Sequence, residues 1–175
     1  ALILTIASCH QQTKTKNAVA GDDKKNVLAK ASRENKNGWI YVHLEGSPSD
    51  IGYQHGYLLA NDIDTSMQAV AYYLNHDTHR DWSFYRQAAK NFLWDKLDRE
   101  YKDEINGIVA GLHDQNKNYD SLDLTAYNAL EELAFYYVPL LDNAKNKAPG
   151  NCSAFIATGS YTKDGKIVIG HNNWT

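Results

Sequence analysis

Gly150-Asn151-Cys152-Ser153-Ala154-Phe155-Ile156-Ala157-Thr158-Gly159, followed after Lys163-Asp164-Gly165-Lys166 by Ile167-Val168-Ile169-Gly170-His171-Asn172-Asn173-Trp174-Thr175, decides how the rest of the chain is read. Two apolar runs flanking a short polar segment with a glycine predict a β-hairpin, and Pro149-Gly150 marks the turn leading into it. Cys152 stands at the head of the first strand. A lone cysteine is most often a small buried hydrophobe. Here Asn151, Ser153 and the loop exit favour a reactive thiol, because reactive groups concentrate where loops leave rigid strands. Cleavage of the Asn151–Cys152 bond would give Cys152 both a thiol and a free α-amine, a nucleophile with its own base.

These residues resemble the nucleophile hairpin of the phospholipase B-like proteins and the penicillin-forming acyltransferases, both self-processing N-terminal nucleophile hydrolases. The hairpin is closed by Gly170-His171-Asn172-Asn173-Trp174-Thr175. A second patch, Gly46-Ser47-Pro48-Ser49-Asp50-Ile51-Gly52-Tyr53-Gln54-His55-Gly56-Tyr57-Leu58-Leu59-Ala60, is similar to the glycine-spaced segment that opens their pro-region. The resemblance covers Gly38 to Thr175. It implies an α+β fold in which a helical pro-region leads into the first hairpin of a four-layer αββα sandwich, with this chain a fragment truncated at both ends and inactive alone. It further implies catalytic Cys152 and His171, autocleavage between Asn151 and Cys152, and a substrate wall that includes Trp174, to which the apolar hairpin adds Phe155. The substrate would be an acylated small molecule or lipid with an amide or ester bond, and no cofactor would be needed. The pro-region would stay packed on the catalytic part after cleavage. Bile-salt and penicillin V hydrolases share the nucleophile but carry Arg and Asp in the places of His171 and Trp174, so the resemblance points away from them.

The chemistry implied is self-contained. A thiol titrates near about 8.5 and an α-amine near about 8, so an amine held beside the sulfur takes its proton at little cost. Attack on an amide or ester gives an acyl-thioester that water resolves. The competing reading is a lipid-anchored helical binding module, with aromatic helices as its surface and Cys152 merely structural.

The N-terminal stretch Ala1-Leu2-Ile3-Leu4-Thr5-Ile6-Ala7-Ser8-Cys9 reads as the end of an apolar signal segment with small residues before a cysteine. Residues 1–9 are thus expected to be the end of a lipoprotein signal peptide, with Cys9 lipidated and the protein exported to a periplasmic or cell-surface membrane face. Residues 10–37 read as a flexible tether, rich in Lys and Asn. Residues 38–151 form the helical pro-region, and 152–175 begin the catalytic part. Two cysteines give no disulfide framework. A net charge of −3 gives no electrostatic case for nucleic acid, and 43% hydrophobic content suffices for a real core.

Within the pro-region, Trp39 to Gly46 predicts a strand. Ser47, Pro48 and Asp50 predict a helix start, with the helix running to about Asn75. Gly52 and Gly56 share one face of it at a cost of about 1 kcal/mol each, which close approach of another element would repay. His55 beside them reads as a packed histidine. Apolar spacing predicts further helices over Asp81–Tyr101, Asp103–Gln115 and Ser121–Asn143, the last capped by Asp120. In the first of these, Asp95–Arg99 and Lys96–Glu100 are expected to pair. His76, Asp77 and His79 lack zinc-ligand spacing, so no metal site is expected, and neither a phosphate loop nor a Gly-x-Ser-x-Gly elbow occurs.

Overall fold

The structure, a computed structural model, describes residues 21–142 and 152–172. Cys9, Asn151 and Trp174 lie outside them. The described chain is α+β: helices with two separate two-stranded antiparallel sheets. It divides into two compact units interleaved in sequence, one from residues up to Asn61 plus Asp98–Tyr119, the other from Asp62–Leu97 plus residues from Asp120 on.

The first unit holds α1 (Gly21–Leu28), β1 (Ser32–Lys36), β2 (Trp39–His43) and α2 (Pro48–Leu58), and after α3 (Ala60–Thr78) and α4 (Trp82–Phe92), which lie mostly in the second unit, it resumes with α5 (Arg99–Asp114). Residues 21–36, which composition assigned to a tether, therefore form a helix and a strand. β1 and β2 pair from Ser32↔His43 to Lys36↔Trp39. Asn37 and Gly38 turn the corner with φ of 53° and 81°, the left-handed pair that a two-residue hairpin turn needs. The start of α2 is as its sequence demands. Ser47 and Asp50 form a reciprocal capping box and Pro48 occupies the first turn, where its missing N–H is no loss.

α2 and α5 lie backbone to backbone. A Cβ on Gly52 would strike the carbonyl oxygen of Glu104, and one on Gly56 that of Ile108. Reciprocally, Gly107 faces the carbonyl of Ser49 and Gly111 that of Tyr53. All four glycines are buried. Two Gly-x-x-x-Gly stripes thus interlock, and this close approach offsets the helix penalty of each glycine.

The second unit holds most of α3 (Ala60–Thr78), then α4 (Trp82–Phe92), a 3-10 turn (Trp94–Lys96), α6 (Ser121–Asn128), a π-helical segment (Glu132–Tyr137), α7 (Val138–Leu141), β3 (Ser153–Gly159) and β4 (Gly165–Asn172). Its core gathers Leu74, Tyr85, Ala88, Ala89, Ala126, Leu133, Ala134 and Val138. Phe84 meets Tyr85 edge-on at 5.2 Å and stacks with Tyr137 at 5.9 Å. Of the aromatic residues of these helices, Tyr85 is in the core and Trp82, Phe84 and Tyr137 pack against it, whereas Tyr72, Tyr73 and Tyr136 are exposed.

Three predicted helices have different limits. The helix from Pro48 breaks at Leu59, whose backbone leaves helical values (φ −113°, ψ 18°). Its two halves serve different cores, Tyr53 in one unit and Leu74 in the other. The helix from Asp81 ends at Phe92, because Leu97 and Asp98 are extended (ψ 136° and 156°) and α5 starts afresh at Arg99. Asp95 and Arg99 therefore sit on different elements, and Arg99 lies 3.5 Å from Asp103. The helix from Ser121 ends at Asn128, where Ala129 leaves helical values (φ −99°, ψ 24°), and the segment after it widens into a π-turn before Pro139. That proline removes one backbone donor and crowds the carbonyl of Phe135, the usual cause of such a distortion.

Candidate functional site

The β3–β4 hairpin is built as its sequence predicts. Gly159 and Gly165 take positive φ at the ends of the turn, and Thr162 N–H donates to the Gly159 carbonyl at 3.2 Å. Asp164 accepts from the Lys166 backbone N–H at 3.3 Å and pairs with the Lys166 ammonium at 3.1 Å, which holds its carboxyl below the usual range. Strand register runs Ser153↔Asn172, Ala154↔His171, Phe155↔Gly170 and Ile156↔Ile169, with a bulge between Ala157 and Gly159.

Cys152 immediately precedes β3 and is exposed. Directly paired residues in an antiparallel ladder share a face, and faces alternate along each strand. Continuing that alternation from Ala154 places Cys152 on the face of Ala154, Ile156, Ile169 and His171. His171 is the cross-strand partner of Ala154, so Cys152 and His171 are diagonal neighbours on one face, a spacing of roughly 7–8 Å between backbones. Long side chains reach across such a gap.

Phe155 belongs to the other face. Its ring lies over Gly170, where an added Cβ would collide with the ring carbons. Phe155, Ala157, Tyr161 and Val168 line an open concavity there, closed at the turn by Lys163 and Asp164. Of the residues named from the sequence, the hairpin thus brings Cys152 and His171 to one face and sets Phe155 on the opposite one. Both faces of the hairpin are exposed, including Ile156, Ile167 and Ile169.

His55 on α2 is half-buried, and burial pushes its imidazole down while Glu104 opposes the shift. His76 Nδ1 lies 2.7 Å from Asp77 Oδ1 in an exposed pair. Among the described residues no three His, Cys, Asp or Glu side chains gather as metal ligands.

Three polar clusters escaped sequence reasoning. Gln54, with no exposed surface, donates to the carbonyls of Val27 (2.7 Å) and Glu45 (2.9 Å) and accepts from the Glu45 N–H (2.8 Å). Asp114 accepts from Lys24 (2.6 Å) and Tyr53 (2.7 Å), which holds its carboxyl low, while burial and then this hydrogen bond push the Tyr53 phenol up. Arg86 forks onto Asp120 (2.9 and 2.7 Å) and pairs with Asp123, whose Oδ1 also accepts from Trp82 Nε1 at 2.8 Å. All three tie elements together within one unit and are fully engaged, which marks them as scaffold. Only the second glycine pair, Gly107 and Gly111 at the spacing of Gly52 and Gly56, had a readable signal.

An uncharacterized protein of Archaeoglobus fulgidus is 25% identical over 148 residues, 78% of this chain and 24% of its own length. The chain thus spans about a quarter of that relative. No known family description and no solved structure matches. Among the described residues no helix is long and apolar enough to cross a membrane.

Proposed function

We propose that this chain is the leading part of a self-processing N-terminal-cysteine amidase, of the phospholipase B-like and penicillin-acyltransferase-like kind, acting on acyl amides. The observation that carries the reading is the exposed Cys152 at the head of β3 with His171 on the same face across the hairpin. Two exposed apolar faces on a two-stranded sheet support it too. Such a hairpin alone is marginal in water and gains stability as the start of a larger sheet.

In the processing step the Cys152 sulfur attacks the Asn151 carbonyl. The Asn151–Cys152 C–N bond breaks, the nitrogen takes a proton and becomes the α-amine, and water hydrolyses the resulting thioester. In turnover the α-amine accepts the thiol proton, and the thiolate attacks the substrate carbonyl. The protonated amine then hands its proton to the departing nitrogen before water releases the acid. Amides need that proton more than esters, whose leaving group departs readily. His171 polarises the site, while Trp174 contributes apolar surface to the acyl pocket. Cys9 carries the lipid that holds the exported protein at a membrane.

Intact mass of the full-length protein tests this reading. Wild type should give two fragments meeting at Asn151–Cys152 and Cys152→Ala one species, with turnover of N-acyl amino acids lost alongside. Normal cleavage in Cys152→Ala would remove Cys152 from both roles.

A further inference from the structure

We propose that the tip of the β1–β2 hairpin, Trp39, Ile40 and Tyr41 with Lys36, lies on an anionic lipid surface; this rests on the lipid anchor at Cys9 proposed above. The Asn37-Gly38 turn reverses the chain in two residues, so Trp39 emerges at the very end of the hairpin. Trp39 is 71% exposed, Tyr41 55% and Ile40 43%. Trp39 and Tyr41 share one face of the hairpin and Ile40 lies on the other, so large apolar side chains flank both sides of the tip, a surface that water disfavours and that monomeric proteins keep small. Trp and Tyr are the side chains that a membrane interface suits best, with ring among the acyl ends and N–H or O–H toward water.

Charge and reach select this occupant. The register sets Lys36 directly opposite Trp39. Along the two strands the cations Arg33 and Lys36 outnumber the one carboxylate, Glu34 opposite Tyr41; Lys36 stands at the tip on the Trp39 face and Arg33 on the Ile40 face. Each lysine near an anionic surface adds about 1 kcal/mol of attraction. Residues 10–20, eleven in all, separate Cys9 from the first residue of α1. A chain of that length reaches at most roughly 40 Å. α1 is pinned within the same unit by Lys24–Asp114 and by Gln54 to the Val27 carbonyl. A lipid on Cys9 thus keeps the unit that carries this hairpin within reach of the bilayer and raises the local concentration of its tip at the surface.

The test uses lipidated protein in phosphatidylcholine vesicles containing phosphatidylglycerol, with acyl chains brominated near the headgroup or not. Bromination should quench wild-type tryptophan fluorescence, and Trp39→Phe should remove most of that quenching. Lys36→Glu should weaken it only when phosphatidylglycerol is present. Both positions are exposed, so neither substitution threatens the fold. Quenching unchanged by Trp39→Phe overturns the inference, whether the tip then faces water, another part of a longer chain or a protein partner. Fatty-acid labelling of the same preparation separates the two failures. Labelled protein without Trp39 quenching overturns the docking and leaves the anchor standing; protein that Cys9→Ala labels equally well overturns the anchor and this inference with it.

Discussion

Gln54 shows how a single side chain can organise a unit without announcing itself. Its amide meets three backbone groups, from Val27 at the end of α1 and from Glu45 in the loop before α2. A buried donor or acceptor left unpaired costs about 1–3 kcal/mol, so removing the amide should cost more than the amide's net worth. Gln54→Glu isolates that asymmetry. Its carboxylate still accepts from the Glu45 N–H but cannot donate to either carbonyl, and a buried carboxylate favours its protonated form. The variant should lose about 3 kcal/mol in neutral-pH denaturant unfolding and recover part of the gap in mild acid, where the neutral acid donates again. A gap that is flat with pH would show that the hydrogen bonds are not the source. Nothing in the sequence marks Gln54, because its partners are backbone groups whose positions only the fold decides. Cys152 and His171 are the opposite case. A turn signal and two apolar runs suffice to predict their hairpin, whereas the register that sets them on one face depends on the bulge between Ala157 and Gly159, which the sequence does not announce.

At the scale of elements, a cost visible in sequence is explained by its partner. Glycine in mid-helix argues for close approach, and the approaching element is α5 with its own pair at the same spacing. Gly56→Ala sets two effects against each other. Propensity favours alanine by about 1 kcal/mol, whereas the new Cβ meets the Ile108 backbone, which cannot swing aside as a side chain would. Overpacking of that kind typically costs about 1–3 kcal/mol, so the steric term wins and the variant should unfold at lower denaturant concentration than wild type. A stabilised variant would mean that the helices separate freely. Strand β2, the N-caps Ser47 and Asp120 and the terminal hairpin were legible because each is specified by neighbours in sequence. Helix ends at Leu59 and Phe92 were not, because the apolar spacing continues through them and the break reflects which core each half joins. The tether reading of residues 21–36 failed for a related reason. Polar composition argues against burial, yet β1 is a fully exposed strand that needs only β2 to pair with.

Each of the two described units carries a partly exposed, acid-sensitive carboxylate. In the first unit Lys24, then Tyr53, holds Asp114 below the ordinary range; in the second Arg86 does the same for Asp120. A carboxylate whose folded pKa is depressed stabilises the fold fully above its unfolded value, near about 4. That contribution fades as pH falls through the depressed value, because the unfolded chain then binds the proton first. Exposed Asp77, Asp81 and Asp164, also held low by their hydrogen bonds, add to the same acid limb. Asparagine is the informative replacement at both sites. Asp120→Asn keeps a good N-cap on α6, and Asp114→Asn keeps an acceptor for Tyr53, so each variant loses chiefly the charge. Both carboxylates are partly exposed, which limits each pair to about 1 kcal/mol at neutral pH. Each variant should therefore start slightly less stable than wild type, fall less steeply between about pH 5 and pH 3, and converge with it at the acid end. Curves running parallel across that window would show that the two carboxylates titrate alike in folded and unfolded chains, and that acid unfolding begins elsewhere.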